Sequence, residues 1–264
     1  LHLHRHAQTA PPAAQIHQVG DYGMSTPDKK LTILQLYPNE MNIYGDRGNV
    51  LTLARRAEWH GYTPLVVYHH PGKALPADVD LIVGGGGQDS GQEKVEKDLQ
   101  RISKDLHQLA DAGVPMVMVC GLYQLFGKFF KTQEGKVIPG IGIFDAETIG
   151  GPTRMIGNII LDTPFGEVIG YENHSGQTFL GAGVKPFGTV KKGAGNNGQD
   201  GREGAIYKNV YGTYLHGSLL PKNPVFADEL IQQAALRKYG EFRPATIDDS
   251  LADKARAVAR SRPR

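Results

Sequence analysis

The sequence contains one cysteine among its 264 residues, Cys120, and this scarcity excludes several classes of protein. A single thiol cannot form an intramolecular disulfide, and it cannot contribute to a metal site built from several cysteines. We therefore expect a protein of the reducing cytoplasm. Its thiol is either inert packing in a core or a reactive nucleophile.

An excess of one charge and long apolar runs are also lacking. The 29 basic and 27 acidic residues give a formal net charge of +2, which is too small to indicate nucleic acid or a membrane surface as a partner. No stretch approaches the roughly 20 apolar residues of a membrane span, and residues 1–30 lack the apolar segment of a signal peptide. We expect no secretion, no membrane insertion, no nucleic-acid partner, no cofactor and no metal ion.

The first part of the chain differs in composition from the rest. Three of its first six residues are histidines, and proline, alanine and glutamine follow before Met24. A metal site is conceivable there, but the composition is more typical of a disordered leader or an added segment, with the native start near Met24. We predict three parts: the leader at 1–30, one globular domain at 31–242, and a C-terminal helix with a basic tail at 243–264.

Apolar strands alternate with helices in the first half of the domain. The predicted strands are 31–37, 63–69, 80–83 and 114–119, and the predicted helices are 45–61, 91–112 and 121–130. This alternation predicts an α/β fold with a mostly parallel central sheet flanked by helices. Ligands of such sheets collect at the carboxyl ends of the strands.

Beyond Lys131 the pattern changes to short strands punctuated by glycine. We interpret these strands as an antiparallel or mixed extension of the same sheet rather than as a separate domain. Residues 191–204 are predicted to form a polar surface loop. A strand at 209–217 and a helix at 223–240 follow.

Cys120 lies between an apolar strand and a predicted helix. Free backbone N–H groups and the positive end of a helix dipole at such a turn favour the thiolate. An unperturbed thiol is only a few per cent ionised at neutral pH, so a nearby base is still needed. Gly121 allows a sharp turn, and its N–H can face a developing oxyanion. Gln124, one helical turn after Cys120, either holds a polar substrate or is a solvated helix residue.

Four glycines at 84–87, in the segment GGGGQD, follow the strand at 80–83. Because glycine lets backbone amides approach a substrate closely, we expect the second oxyanion donor here and select Gly86, although the pattern does not fix which glycine donates. A phosphate-binding loop is disfavoured, since the segment has neither G-K-[ST] nor a GxGxxG that opens a helix.

Two histidines are candidates for the base. His216 ends an apolar strand and precedes a glycine, so its imidazole can face the strand-end cleft with little crowding. We prefer it to His174, which either bonds within the same site or is a loop histidine.

These pieces together resemble a known family. The motifs VGGGGQD at 83–89, VCGLYQLFG at 119–127 and YGTYLHG at 211–217 are similar to those of class I, triad-type glutamine amidotransferases. Flanking segments at 36–49, 170–180 and 208–224 resemble the cobyric-acid-synthase-like branch, CobB/CobQ-like, and above all its stand-alone GatD-type subunits, the glutaminases of lipid II isoglutaminyl synthase. The resemblance extends from about Leu31 to Tyr239.

The resemblance implies a flavodoxin-like amidotransferase fold and the hydrolysis of L-glutamine to glutamate. The ammonia would pass to a MurT-like, Mur-ligase-like partner in a heterodimer, which uses ATP to amidate the D-glutamate of the lipid II stem peptide. By position, Cys120 would be the nucleophile, His216 its base and Arg154 a substrate-binding residue. One guanidinium at the cleft edge is suited to an α-carboxylate, whereas without the resemblance Arg154 is a solvated surface residue.

The sequence departs from the family pattern at two places. Most triad amidotransferases have an acid two residues after the histidine, but Ser218 occupies that position, so the resemblance implies that the partner supplies the third catalytic acid. Met118 and Leu122 stand beside Cys120 where relatives place small residues, which puts the turn geometry in question.

We therefore predict that the Cys120 thiolate attacks the glutamine carboxamide while Gly86 and Gly121 N–H groups stabilise the oxyanion. Two rival hypotheses remain. The chain could serve another synthetase, such as a corrinoid amidase, or it could be an inactive scaffold subunit, as the absent acid suggests.

Overall fold

The structure is a computed structural model that describes residues 29–263, so most of the predicted leader, including its histidines, lies outside the described residues. The strands are β1 (Lys30–Leu36), β2 (Thr63–His69), β3 (Leu81–Gly84), β4 (Met116–Val119), β5 (Phe129–Lys131), β6 (Val137–Pro139), β7 (Ala146–Thr163), β8 (Gly166–Leu180), β9 (Gly188–Lys192), β10 (Arg202–Glu203), β11 (Ala205–Tyr207) and β12 (Val210–Thr213). The helices are α1 (Arg47–Trp59), α2 (Asp89–Arg101), α3 (Ser103–Asp111), α4 (Gly121–Phe126), α5 (Pro224–Tyr239) and α6 (Ser250–Ser261).

The first sheet has the strand order β11-β12-β4-β3-β1-β2. Every neighbouring pair is parallel except β11 with β12, which confirms the predicted mostly parallel sheet. All four residues of β3, β4 and β12 are buried, because a parallel sheet is covered on both faces. The carboxyl ends of β3, β4 and β12 therefore lie side by side, and the loops that follow them meet there.

The predicted extension of that sheet is wrong in one respect, because most of the later strands form a second sheet. Its order is β10-β9-β7-β5-β6, with β8 paired to β7 in a long antiparallel hairpin. Two of the short predicted strands are parts of β7, which continues through a register shift between Gly150 and Met155. Only β11 and β12 return to the first sheet. An isolated bridge between Tyr171 and His216 joins the two sheets at the strand ends.

Two helices differ from their predicted lengths. The helix predicted at 91–112 is divided at Ile102, which separates α2 from α3. The helix predicted at 121–130 ends at Phe126, because Gly127 adopts an extended backbone and β5 begins at Phe129. The helix after the cysteine is consequently only six residues long.

The loop predicted to lie on the surface at 191–204 is partly buried. Asn196 and Asn197 are 0 % and 4 % exposed. Asn196 bonds the Gly204 backbone through both ends of its amide, and Asn197 donates to the Thr178 carbonyl. Polar composition misled the prediction here, since buried amides are stable when they are fully hydrogen-bonded.

The C-terminal segment is docked against the domain. The buried Arg56 guanidinium of α1 bonds Asp228 of α5 and Asp249, the residue before α6. Arg256 of α6 donates to the carbonyls of Glu167 and Lys222. Within residues 29–263, no helix combines the length and apolar content needed to cross a membrane.

Candidate active site

Cys120 occupies a strained turn between β4 and α4. Its backbone has φ +50° and ψ −103°, which a residue with a side chain adopts only at a cost of about 1–3 kcal/mol. Two bonds hold this conformation: the Cys120 N–H donates to the Thr213 carbonyl at 2.8 Å, and the Cys120 carbonyl accepts from the Gln124 N–H at 2.9 Å. The strain lifts the thiol out of the sheet and towards a cavity that Cys120 lines.

The bulky neighbours of Cys120 fit because of a glycine on the adjacent strand. Gly84 of β3 pairs with Met118 of β4. A Cβ added to Gly84 would lie 2.4 Å from Leu122 Cδ1 and 2.7 Å from Met118 Sδ. The missing side chain of Gly84 makes room for both, so the turn forms despite their size.

His216 lies at the same strand end, shortly after β12, the strand that pairs with β4. His216 is completely buried, and its backbone N–H donates to the Tyr171 carbonyl at 2.8 Å. Its ring packs edge-on against Tyr44 at 5.0 Å. A Cβ on Gly86 would lie 2.6 Å from His216 Cε1 and 3.1 Å from Cys120 Cβ, so both side chains approach the same glycine.

A carboxylate that the sequence reasoning missed faces His216. Asp46, one residue before α1, is 1 % exposed, and its Oδ1 lies 3.5 Å from His216 Nδ1. Burial lowers the pKa of His216, but the Cys120 sulfur and the Asp46 carboxylate oppose burial and raise that pKa well above its usual value. The arrangement favours the imidazolium form of His216. This chain therefore places a carboxylate of its own beside His216, whereas the sequence led us to expect one from the partner.

Ser218 has a supporting position instead of the missing acid. Its hydroxyl donates to the Gly45 carbonyl at 2.7 Å, directly beside Asp46 in the chain. A Cβ on Gly48 would lie 2.1 Å from Ser218 Oγ, so the serine fills the space left by that glycine. Ser218 thus ties the loop after His216 to the segment that carries Asp46.

Gly86 and Gly87, in the glycine run at 84–87, have different positions in the site. The Gly86 N–H, predicted as an oxyanion donor, donates to Asp46 Oδ2 at 2.6 Å and so is already engaged. Gly87 lines the cavity beside Cys120. A Cβ on Gly121 would lie 3.0 Å from the Gly87 nitrogen, so the backbones of Gly87 and Gly121 approach each other closely.

The cavity that Cys120 lines has a volume of about 390 Å³ and opens to solvent. Its chemically active lining residues include Gly87, Asp89, Cys120, Gln124, Arg154 and His174. One cation, one carboxylate, one thiol and an imidazole thus face a space of the size of a small polar molecule. Among residues 29–263, no three His, Cys, Asp or Glu side chains are grouped so that they could hold a metal ion.

Arg154 lies exposed at the cavity, on β7. Its Nε donates to Asn173 Oδ1 at 2.6 Å, and Asn173 Nδ2 in turn donates to the Tyr44 hydroxyl at 2.7 Å. Tyr44 also packs on the His216 ring. These contacts orient the guanidinium and connect it to the histidine, which a solvated surface arginine would not show.

Gln124 is held by protein rather than left free. Its Oε1 accepts from Gln92 Nε2 at 2.8 Å, and its Nε2 donates to the Tyr214 hydroxyl at 3.1 Å. The Tyr214 hydroxyl also contacts Thr178 Oγ1 at 2.6 Å. Gln124 borders the cavity, but its amide is part of a buried network that supports the floor, so a direct bond to substrate would require an exchange of partners.

His174 lies on β8 and borders the cavity with Cys120. Its ring is stacked on Tyr214 with a centroid distance of 3.5 Å, and its Nδ1 lies 2.7 Å from the Gly176 carbonyl. It is therefore part of the site rather than a loop residue.

Several known proteins are similar to this chain in sequence. Residues 32–224 match the family model of the CobB/CobQ-like glutamine amidotransferase domain. The chain is 36 % identical over 231 residues to "Lipid II isoglutaminyl synthase (glutamine-hydrolyzing) subunit GatD" of Staphylococcus aureus, covering 87 % of this chain and 94 % of that protein. It is 37 % identical over 218 residues to the protein of the same name from Streptococcus pneumoniae, covering 80 % and 83 %.

A solved structure of a glutamine amidotransferase shares the fold. Its TM-score is 0.56 at 14 % identity, and the match covers 77 % of this chain and 98 % of that one. At this identity the likeness concerns the fold alone.

Proposed function

The chain belongs to the CobB/CobQ-like glutamine amidotransferases, and we propose that it is the glutaminase subunit of a lipid II isoglutaminyl synthase. The identity of 36–37 % to two GatD subunits over most of both chains supports this assignment over a glutaminase for a corrinoid amidase. The reaction is the hydrolysis of L-glutamine to glutamate and ammonia.

One observation carries the proposal: Cys120, His216 and Asp46 converge at one edge of the parallel sheet. Asp46 faces Nδ1 of the imidazole, and the Cys120 sulfur raises the pKa of that imidazole by electrostatic attraction. This order of acid, imidazole and nucleophile is the arrangement that activates a thiol. An inert core cysteine needs neither the strained backbone at Cys120 nor a buried histidine and carboxylate beside it.

In the first step, the Cys120 thiolate attacks the carbonyl carbon of the glutamine carboxamide. The carbonyl oxygen gains the negative charge, and we assign its stabilisation to the N–H groups of Gly87 and Gly121. Gly87 replaces Gly86 in this role because the Gly86 N–H is engaged by Asp46. Removal of one such donor typically costs about 3–4 kcal/mol of transition-state stabilisation.

In the second step, the tetrahedral intermediate collapses to a thioester and releases the amide nitrogen. His216, as the imidazolium, donates the proton that this nitrogen needs to leave as ammonia. The neutral imidazole then accepts a proton from water, which attacks the thioester, and glutamate and the thiolate are released. Asp46 keeps the ring oriented and stabilises its charged form through both stages.

The substrate's α-groups are assigned to the cavity entrance. Arg154 is suited to the α-carboxylate through a paired, charge-assisted bond, and its Nε is already fixed by Asn173. Gln124 contributes by supporting the floor beneath the substrate through Gln92 and Tyr214.

The ammonia requires an acceptor enzyme, and we assign this role to a MurT-like ligase subunit that binds this chain as a heterodimer in the cytoplasm. The relatives are named as subunits, which supports a second component. We assign the ATP-dependent amidation of lipid II D-glutamate to that partner. With Asp46 in place, the partner's contribution is the ligase activity rather than the third acid.

The experiment measures ammonia release from glutamine by the full chain, alone and with the MurT-like subunit. We expect Cys120→Ala and His216→Ala to reduce the rate of ammonia release to background. Asp105→Asn, at an exposed position of α3, serves as the surface control. Wild-type rates from either active-site variant would end the proposal. Covalent labelling of Cys120 by 6-diazo-5-oxo-L-norleucine separates an enzyme from an inactive scaffold, which would leave the thiol unmodified.

A further inference from the structure

Tyr44 borders the cavity that Cys120 lines, and no step of the mechanism uses it. Its backbone has φ +56° and ψ +23°, the left-handed region that residues with a side chain seldom occupy. The residue is 45 % exposed, although its ring packs edge-on against the buried ring of His216. Residues held in such a strained backbone are concentrated at sites that hold a ligand. The hydroxyl of Tyr44 shows which ligand group suits it.

A chain of hydrogen bonds with a fixed direction ends at the Tyr44 hydroxyl. A guanidinium can only donate, so its bond at 2.6 Å from Arg154 Nε identifies the nearer Asn173 atom as the amide oxygen. The amide nitrogen of Asn173 therefore faces the other way and donates to the Tyr44 hydroxyl oxygen at 2.7 Å. Among residues 29–263 no protein group accepts the hydroxyl hydrogen, so it is available to a ligand.

The other end of this chain also has donors to spare. In the part of the chain that the structure describes, only Nε of Arg154 bonds to protein, so both Nη nitrogens are free to donate. The Asn173 amide thus holds a cation and a neutral hydroxyl next to each other where they border the cavity. The two oxygens of a carboxylate can accept from both donors, whereas an ammonium group can only donate. The pair therefore fits the α-carboxylate of glutamine and not its α-ammonium.

We propose that the Tyr44 hydroxyl donates a hydrogen bond to the α-carboxylate of bound glutamine, beside the Arg154 guanidinium. This assignment rests on the proposed glutaminase function and adds a second residue to substrate recognition. The phenol ring contacts His216, so one side chain joins the amino-acid end of the substrate to the base. Loss of the hydroxyl should weaken substrate binding, while the ring keeps its contact with the base.

Tyr44→Phe removes the hydroxyl and keeps the ring against His216. We expect KM for glutamine to rise roughly 10- to 100-fold with kcat within about threefold of wild type, because a bond to a charged group is lost from substrate binding. Ammonia release by the full chain with its ligase subunit measures both constants. Tyr68→Phe on β2, where the tyrosine is 46 % exposed, is the matched control and should change neither.

A truncated substrate tests whether the α-carboxylate is the group bound. 4-Aminobutanamide is glutamine without its α-carboxylate, and it keeps the carboxamide and the amine. We expect Tyr44→Phe and wild type to have the same kcat/KM for this compound within about twofold, because the bond that the substitution removes does not exist for it. If its hydrolysis is too slow to follow, its inhibition constant against glutamine hydrolysis should likewise be equal in the two proteins.

A double-mutant cycle separates a direct bond from an effect transmitted through Asn173. Asn173→Ala removes the amide that connects Tyr44 to Arg154. In that background, direct donation predicts that Tyr44→Phe still raises KM by about threefold or more. If the hydroxyl acted only by holding Asn173 and thereby Arg154, the second substitution would have no further effect.

The outcomes separate the inference from the proposed function. A rise in KM for glutamine that is absent with 4-aminobutanamide and persists in the Asn173→Ala background supports the bond. An unchanged KM in Tyr44→Phe, an equal loss with both substrates, or no further effect after Asn173→Ala overturns it and leaves the glutaminase assignment intact. Failure of the wild-type chain to hydrolyse glutamine, alone or with its ligase subunit, would instead refute the function.

Discussion

Asp46 Oδ1 lies 3.5 Å from His216 Nδ1, although one residue precedes the first helix of the fold and the other follows the last strand of its parallel sheet. At this distance the contact is electrostatic rather than a hydrogen bond. Contacts between catalytic groups often shorten to hydrogen-bond distance when substrate binds. It places a carboxylate of the same chain beside His216, where the sequence position expected to hold an acid is Ser218.

Replacement of Asp46 by asparagine should lower kcat for glutamine hydrolysis by about 100-fold or more. The amide keeps the size of the side chain but removes the charge that stabilises the imidazolium. The pKa of His216 should fall, because one of the groups that raise it is lost. A pH–rate profile and NMR titration of His216 measure both effects. Asp105→Asn is the control, and an unchanged profile would return the third acid to the partner.

Gly86→Ala should abolish most of the activity, because the added Cβ would lie 2.6 Å from His216 Cε1 and 3.1 Å from Cys120 Cβ. The base and the nucleophile must then move apart. Gly84→Ala, two residues earlier, is the matched comparison: its Cβ meets the Met118 and Leu122 side chains. Overpacking there should cost about 1–3 kcal/mol of stability.

The two alanine variants therefore separate packing from catalysis. Urea unfolding should show a loss of stability for both variants, and glutamine hydrolysis should show the larger activity loss for Gly86→Ala. Equal effects on both measurements would mean that Gly86 serves only packing.

The sequence predicted the part of the fold that depends on local pattern. The alternation of apolar strands and helices gave β1 to β4 and placed Cys120 at a strand end. The motif YGTYLHG at 211–217 likewise placed His216 at the end of an apolar strand. Both residues follow parallel strands of one sheet, and the carboxyl ends of such strands share an edge.

Asp46 was missed because its contact with His216 depends on tertiary structure alone. A signal was present, since the acid lies between two glycines in the segment IYGDRGN, where a loop passes close to other backbone. The second sheet was missed for a different reason. Glycines suggested several short strands, but β7 continues through them, since a glycine inside a strand often marks an irregularity of pairing rather than an end.

Arg154→Lys should raise KM for glutamine roughly 10-fold or more with a smaller change in kcat. A lysine keeps the charge but cannot bind the α-carboxylate through two parallel N–H groups, and it loses the planar contact with Asn173. Steady-state kinetics measure KM and kcat of the variant and the wild type. Arg55→Lys, at an exposed position of α1, is the control. A larger fall in kcat than rise in KM would place Arg154 in the chemical step instead.

Glu203 gives the chain a pH-dependent stability. It is completely buried, and it accepts bonds from the Tyr214 N–H at 2.6 Å and from the Thr213 hydroxyl. Burial raises its pKa from 4.5 to about 8, more than these bonds lower it. The folded chain therefore keeps this proton in a range of pH where the unfolded chain has lost it.

The sign of the effect follows from proton binding. Between pH 4.5 and about 8 the native state binds more protons than the unfolded state at this group. The free energy of unfolding therefore falls as pH rises through that window, by up to about 1.4 kcal/mol per pH unit. Stability from Glu203 is complete below pH 4.5 and lost above about pH 8.

Glu203→Gln should remove this dependence, because the amide has the same shape, accepts the same N–H bond and does not titrate. Urea unfolding at several pH values between 5 and 9 measures the difference, with exposed Glu134→Gln as the control. The variant should be more stable than wild type at pH 9 relative to pH 5. Parallel curves for Glu203→Gln and wild type would show that Glu203 is ionised in the folded chain. Because Glu203 holds the Tyr214 backbone two residues before His216, the same variant should also keep its activity to higher pH than wild type.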